Sequence, residues 1–301
     1  MFSTLAPNVL PLRVPFQRQL ELAQANRFEA LDLPMSHLLS MRRTTGLREI
    51  KESFSRHGLR CGGWQLPFNQ EADETEFSAG LRHLPRAAEL ARGLGSPWCF
   101  SWIEPFSEDL TFGANTARYV ERMRQISDVL GENDCRIGLE VIGPKTLLVG
   151  RRHPFVHTIP GALELLATID RPNVGLLLDS FHWYTSHGSV EELRELSASQ
   201  VVYVHINDAI PEIGIDDQLD QVRLLPGASE VIDLVAFMKV LDAIGYDGPV
   251  AVEPFSTELT AASPAERVRR AAESIRAAFA AAGLRIADAG HLRESNSDQP
   301  T

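Results

Sequence analysis

Apolar residues in this chain fall in short runs that stop abruptly, and the residues at which they stop are the first signal. Val174-Gly-Leu-Leu-Leu-Asp-Ser-Phe-His-Trp-Tyr184 opens with an apolar run and breaks at Asp179. Such a run reads as a strand buried on both faces, the habit of parallel sheets covered by helices. The pattern recurs in Arg136-Ile-Gly-Leu-Glu140, Val201-Val-Tyr-Val-His205 and Pro249-Val-Ala-Val-Glu253. Four apolar strands therefore each end in a residue that can bind a metal, a position that packing does not explain.

The remaining pattern supplies the rest of the architecture. Strand patterns at residues 2–10, 28–33, 59–66 and 97–103 alternate with helical spacing over 14–26, 40–57, 76–94 and 116–130. After the four strands above, helices are predicted near 160–169, 189–197, 232–244 and 264–282. Strands separated by helices demand parallel pairing with crossovers. Eight strand–helix units in one chain predict an α/β fold, the (β/α)8 TIM barrel. A doubly wound open sheet would carry a Gly-rich turn after its first strand, and Ala6-Pro-Asn-Val-Leu10 is not one. One domain is expected over residues 1–285, followed by a polar, unperiodic tail at 286–301 that is expected to be flexible.

Composition narrows the partners. The 301 residues are 44% hydrophobic, enough for one large core, and no apolar run reaches the roughly 18 residues of a membrane helix. A formal charge of −11 argues against a nucleic-acid surface. Three scattered cysteines, Cys61, Cys99 and Cys135, fit reduced thiols, and the N-terminus lacks a signal-peptide pattern, so a cytoplasmic protein is expected.

In a barrel the C-terminal strand ends ring one mouth, so Glu140, Asp179, His205 and Glu253 should converge. Three carboxylates would repel one another, and a divalent cation removes that cost. Three oxygens and an imidazole suit Mn2+ first, with Mg2+ or Co2+ close behind and Zn2+ as a further alternative. Taken singly, each of the four reads as an ordinary loop or core residue; their shared position makes them a site.

The motifs Gly138-Leu-Glu-Val141, Leu178-Asp-Ser-Phe-His182, Val204-His-Ile-Asn-Asp208 and Val252-Glu-Pro-Phe255 resemble the xylose isomerase-like barrel superfamily. So do Asp220-Gln-Val-Arg-Leu-Leu-Pro-Gly227 and Gly245-Tyr-Asp-Gly-Pro249, and the similarity is to the sugar phosphate isomerase/epimerase branch with the D-tagatose 3-epimerase-type enzymes. That resemblance implies that Glu140 and Glu253 are both metal ligands and the acid/base pair. One would remove the proton beside a substrate carbonyl and the other return it, through a metal-stabilised ene-diolate. His182, three residues past Asp179, would reach a substrate oxygen, and Arg223 would hydrogen-bond the substrate rather than only pair with Asp220.

Lys145 departs from the ketose epimerases, where an acidic or polar residue follows the strand-five glutamate; it is a candidate for a phosphate, carboxylate or carbonyl, or else solvated. Trp102 and Trp64 are candidates to stack on a sugar or to pack in the core. The 151–157 loop is read either as a cover for the mouth or as plain surface, and Asp208 and Asp217 as partners of His205. The leading expectation is a metal-dependent isomerase or epimerase of a keto-sugar or related polyol. A lyase or dehydratase of the same fold (3-keto-glycoside cleavage of the C-glycoside deglycosidase type, or inosose dehydratase-like) is the alternative. A non-catalytic sugar-binding protein is the third reading. The partners expected are a small sugar and further copies of the chain, a dimer or tetramer, with no nucleic acid and no membrane.

Overall fold

A computed structural model describes residues 1–286. The expected tail falls outside them from residue 287 onward. The elements begin with β1 (Phe2–Leu5), α1 (Phe16–Ala25), β2 (Ala30–Leu31), α2 (Met35–Arg56), β3 (Arg60–Cys61), β4 (Trp64–Gln65) and α3 (Glu74–Leu94). Next come β5 (Trp98–Trp102), β6 (Phe106–Ser107), α4 (Phe112–Gly131), β7 (Arg136–Glu140), β8 (His153–Pro154) and α5 (Ile159–Ile169). The last third holds β9 (Val174–Asp179), α6 (Ser180–Thr185), α7 (Val190–Arg194), β10 (Val201–Ile206), α8 (Leu234–Ala243), β11 (Pro249–Val252), α9 (Thr257–Ala261) and α10 (Pro264–Ala281).

The parallel sheet runs β3-β2-β1-β11-β10-β9-β7-β5-β4. Its two ends, β3 and β4, are consecutive pieces of one strand separated only by Gly62-Gly63. The sheet therefore closes on itself, giving a (β/α)8 barrel whose third strand is broken in the middle. The break has a local cause. A Cβ at Gly63 would stand 2.4 Å from the Tyr203 ring, and one at Gly62 would stand 2.3 Å from both Asp32 and Thr4. Side chains from the neighbouring strands and, at Tyr203, from the far wall occupy the space that a continuous strand would need.

Period-two alternation then sorts each strand. Leu176 and Leu178 face outward into the main core beneath the helices, while Leu177, Tyr203, Ala251 and Ala6 form a smaller cluster with Phe100 and Trp98. That second cluster is the barrel interior. Asp179, two residues after Leu177, and His205, two after Tyr203, stand on the same inner face one step nearer the mouth.

Several boundaries differ from expectation. The helix predicted at 40–57 starts at Met35 and is two helical stretches meeting at Gly46 (φ 82°, ψ 169°), a conformation glycine adopts freely. The helix expected at 189–197 shortens to α7, opened by a reciprocal Ser189/Glu192 cap. The unpredicted α6 starts directly from Asp179, whose Oδ1 accepts from the Phe181 and His182 N–H groups. No helix of the described residues is long and apolar enough to cross a membrane. Cys99 and Cys135 are buried, Cys61 is half-buried, and all three are free thiols.

Candidate metal centre and active site

β7, β9, β10 and β11 are consecutive neighbours in the barrel wall, so their ends lie side by side. Glu140, Asp179, His205 and Glu253 are all buried there, each offering one donor atom, and those atoms lie within 4.8 Å of one another. His205 Nδ1 is 3.2 Å from Glu140 Oε1, 3.2 Å from Glu253 Oε2 and 3.8 Å from Asp179 Oδ2. One nitrogen thus faces three carboxylates, which is more acceptors than one N–H can serve. Three oxygens and one imidazole nitrogen converging on a common centre fit a single divalent cation, with His205 Nδ1 as its nitrogen donor.

Electrostatics show the strain in this arrangement. Burial, then the Glu253 charge, pushes Glu140 up to about 8. Burial lifts Asp179 to about 6 although the Arg223 charge opposes it. At Glu253 burial also works upward, but the His205 and Arg223 charges outweigh it and hold the group at about 2. His205 lies well above its ordinary range: burial disfavours its charge, and Glu253 and Glu140 overcome that.

Arg223 enters the cluster from the loop after β10 and is 2% exposed. Its Nη1 donates to Glu253 Oε2 at 2.8 Å and Asp179 Oδ2 at 3.2 Å, and its Nη2 to Asp220 Oδ1 at 2.6 Å. Phe181 and Phe255 rings flank the guanidinium at 4.9 and 4.7 Å. His182 is fully buried beside it. The Gly143 N–H donates to His182 Nδ1 at 3.1 Å, and Arg223 Nη2, which also can only donate, faces the other ring nitrogen, Nε2. That nitrogen is 3.7 Å from Asp220 Oδ1, 4.0 Å from Glu140 Oε1 and 3.0 Å from Arg223 Nη2. Burial and the Arg223 charge keep this imidazole well below its ordinary pKa, and so neutral.

Asp220 does pair with Arg223, the alternative to a substrate contact, but not at the surface. Its side chain is 14% exposed and stands between Arg223 and His182, inside the site. Lys145 is brought to the rim, where Nζ meets Asp216 Oδ2 at 2.7 Å with most of the side chain in solvent. Trp102 is half-buried at the end of β5, paired in register with Glu140. Trp64 is fully buried, its Nε1 donating to the Ser96 carbonyl at 3.2 Å, and belongs to the core.

Part of the 151–157 loop forms β8, which pairs antiparallel with β6. Asp208 does not meet His205. Its carboxylate accepts from the Ser229, Glu230 and Ile232 N–H groups and so holds the following loop. Asp217 is exposed in the loop before Arg223. His205 Nε2 is buried without a hydrogen-bond partner among the described residues.

Residues 20–278 match the family model for the xylose isomerase-like TIM barrel. The chain belongs to that family. A solved xylose isomerase domain protein from Alicyclobacillus acidocaldarius superposes with a TM-score of 0.85 at 32% identity, covering 94% of this chain and 99% of that one. An inosose isomerase of Bacillus velezensis is 24% identical over 87% of this chain and 91% of its own. The inosose isomerase of Bacillus licheniformis reaches 32%, but over 52% of this chain and only 54% of its own length. A ketose 3-epimerase of Arthrobacter globiformis is 27% identical over 78% of this chain and 75% of that protein.

Proposed function

We propose that this protein is a divalent-metal-dependent isomerase or epimerase of a keto-sugar or cyclic keto-polyol. The observation that carries the reading is the placement of Glu140 and Glu253, each 3.2 Å from the same His205 nitrogen. Two carboxylates converging on one position suit a reaction in which one takes a proton from carbon and the other returns it. A bound divalent cation would polarise the substrate carbonyl and so acidify the neighbouring C–H. Glu140, Asp179, His205 and Glu253 would hold that cation. Arg223 keeps Glu253 ionised and aimed, and neutral His182 stands beside it to meet a substrate oxygen. The similarity to inosose isomerases and a ketose 3-epimerase supports a substrate with a carbonyl beside a hydroxyl-bearing carbon.

The test is Mn2+-loaded protein in D2O with a panel of an inosose, free ketohexoses, their phosphates and 3-keto-glucosides, read by NMR. Deuterium entering beside the carbonyl, with an isomer as product, is the expected result; release of water or an aglycone would identify a lyase instead. Glu140→Gln and Glu253→Gln should each slow exchange by roughly 10²- to 10⁴-fold. Unchanged exchange in both would remove the two glutamates from the proton transfer.

A further inference from the structure

Beneath the four strand ends lies a layer that the reaction does not explain. Asp32 is buried in the barrel interior and accepts from three donors: Tyr203 Oη at 2.6 Å, Thr4 Oγ1 at 2.8 Å and the Gly63 N–H at 2.8 Å. No basic side chain among the described residues bonds to it. Tyr203 precedes His205 by two residues on the same inner face, and its ring meets the imidazole edge-on at 5.3 Å and 82°. Phe100 closes the other side, 6.0 Å from His205 and 4.5 Å from Tyr203.

His205 lacks the usual means of orientation. A metal-binding histidine normally donates its second ring nitrogen to a carboxylate or carbonyl, which fixes the ring. Here Nε2 is buried and has no such partner among the described residues. On that side of the ring the aromatic walls are what hold it, and one of them is itself pinned by Asp32. The fold gives up strand continuity for this pair, because the third strand breaks at Gly62-Gly63 where Asp32 and Tyr203 enter. A layer of aliphatic side chains would fill the same space without burying a carboxylate.

We infer that Asp32 and Tyr203 are positioning residues: the hydrogen-bonded pair fixes the Tyr203 ring, which turns His205 Nδ1 toward the three carboxylates. The inference rests on the metal-site reading above. Outer partners of this kind change metal affinity by about 10- to 100-fold.

The test measures Mn2+ affinity by electron paramagnetic resonance, and the Co2+ visible absorption band at saturation, on variants whose far-UV circular dichroism matches wild type. Tyr203→Phe and Asp32→Ala should each weaken Mn2+ binding by about tenfold or more and shift the Co2+ band. Asp32→Asn keeps a partner for Tyr203, since its amide can donate to the phenol oxygen, and should restore binding to near wild type. A purely structural role would lower thermal stability in Tyr203→Phe while leaving affinity and band unchanged, which overturns the inference. Wild-type protein that binds neither metal would overturn the metal site itself, a separate failure.

Discussion

At Asp32 the barrel holds a carboxyl group that is only 6% exposed. Burial pushes its pKa from 3.8 up to about 6, although the bonds from Tyr203, Thr4 and Gly63 pull downward. The folded chain therefore binds this proton more tightly than the unfolded chain does. Between about pH 4 and pH 6 the native state holds more proton than the unfolded state, so the contribution to stability falls as pH rises. It is fully present below the unfolded value and lost once the pH has passed the folded one. Asp32→Asn has nothing to titrate. The wild-type-minus-variant difference in unfolding free energy, from urea melts, should drop by up to about 3 kcal/mol across that window. A flat difference would mean that Asp32 ionises as an ordinary carboxylate.

Two elements above the mouth act as a unit. The β6–β8 pair ties the loop after β5 to the loop after β7, with the Phe155 N–H donating to the Pro105 carbonyl at 2.7 Å. Arg151 clamps it, its guanidinium 3.9 Å over the Phe106 ring and its Nη1 3.2 Å from Glu108 Oε1. Arg151→Ala removes both contacts and the Nε bond to the Leu147 carbonyl at 3.3 Å, together about 1–2 kcal/mol. Amide hydrogen exchange at Phe155 should then speed up about tenfold, with β7 and β9 unaffected. Equal exchange would show that the stacking of Phe112 on Phe155, at 5.2 Å, holds the pair alone. The pairing itself was not legible beforehand, because a two-residue strand has too few positions to show a period.

The strand ends were legible, since Leu178 to Asp179 or Val252 to Glu253 is an abrupt change at a repeated place. The same rule applied to Ala30-Leu-Asp32 would have flagged the buried carboxylate, and Gly62-Gly63 inside a strand pattern is a known sign of close approach. What no local pattern carries is the partner. Tyr203 is 171 residues from Asp32, and Asp220 lies beside His182 only because the loop after β10 folds back over α6.

For the whole molecule, the question is what three buried carboxylates cost a chain already at −11. Their mutual repulsion is borne by the native state alone, because unfolding returns each to water. A divalent cation that binds only the folded chain offsets that cost by RT ln(1 + [L]/Kd), about 2.7 kcal/mol at a hundredfold excess over Kd. For a domain of this size that shift is worth roughly 4–5 °C in the thermal midpoint. Mn2+ titrated into metal-stripped protein should raise the midpoint with the logarithm of its concentration, and excess chelator should reverse the gain. Sodium chloride at matched ionic strength separates site binding from mere screening of surface charge. His205→Ala should lose most of the Mn2+ effect and keep the salt effect. If salt alone reproduced the whole shift, the three carboxylates would be a strained cluster held by Arg223 and His205 without a metal.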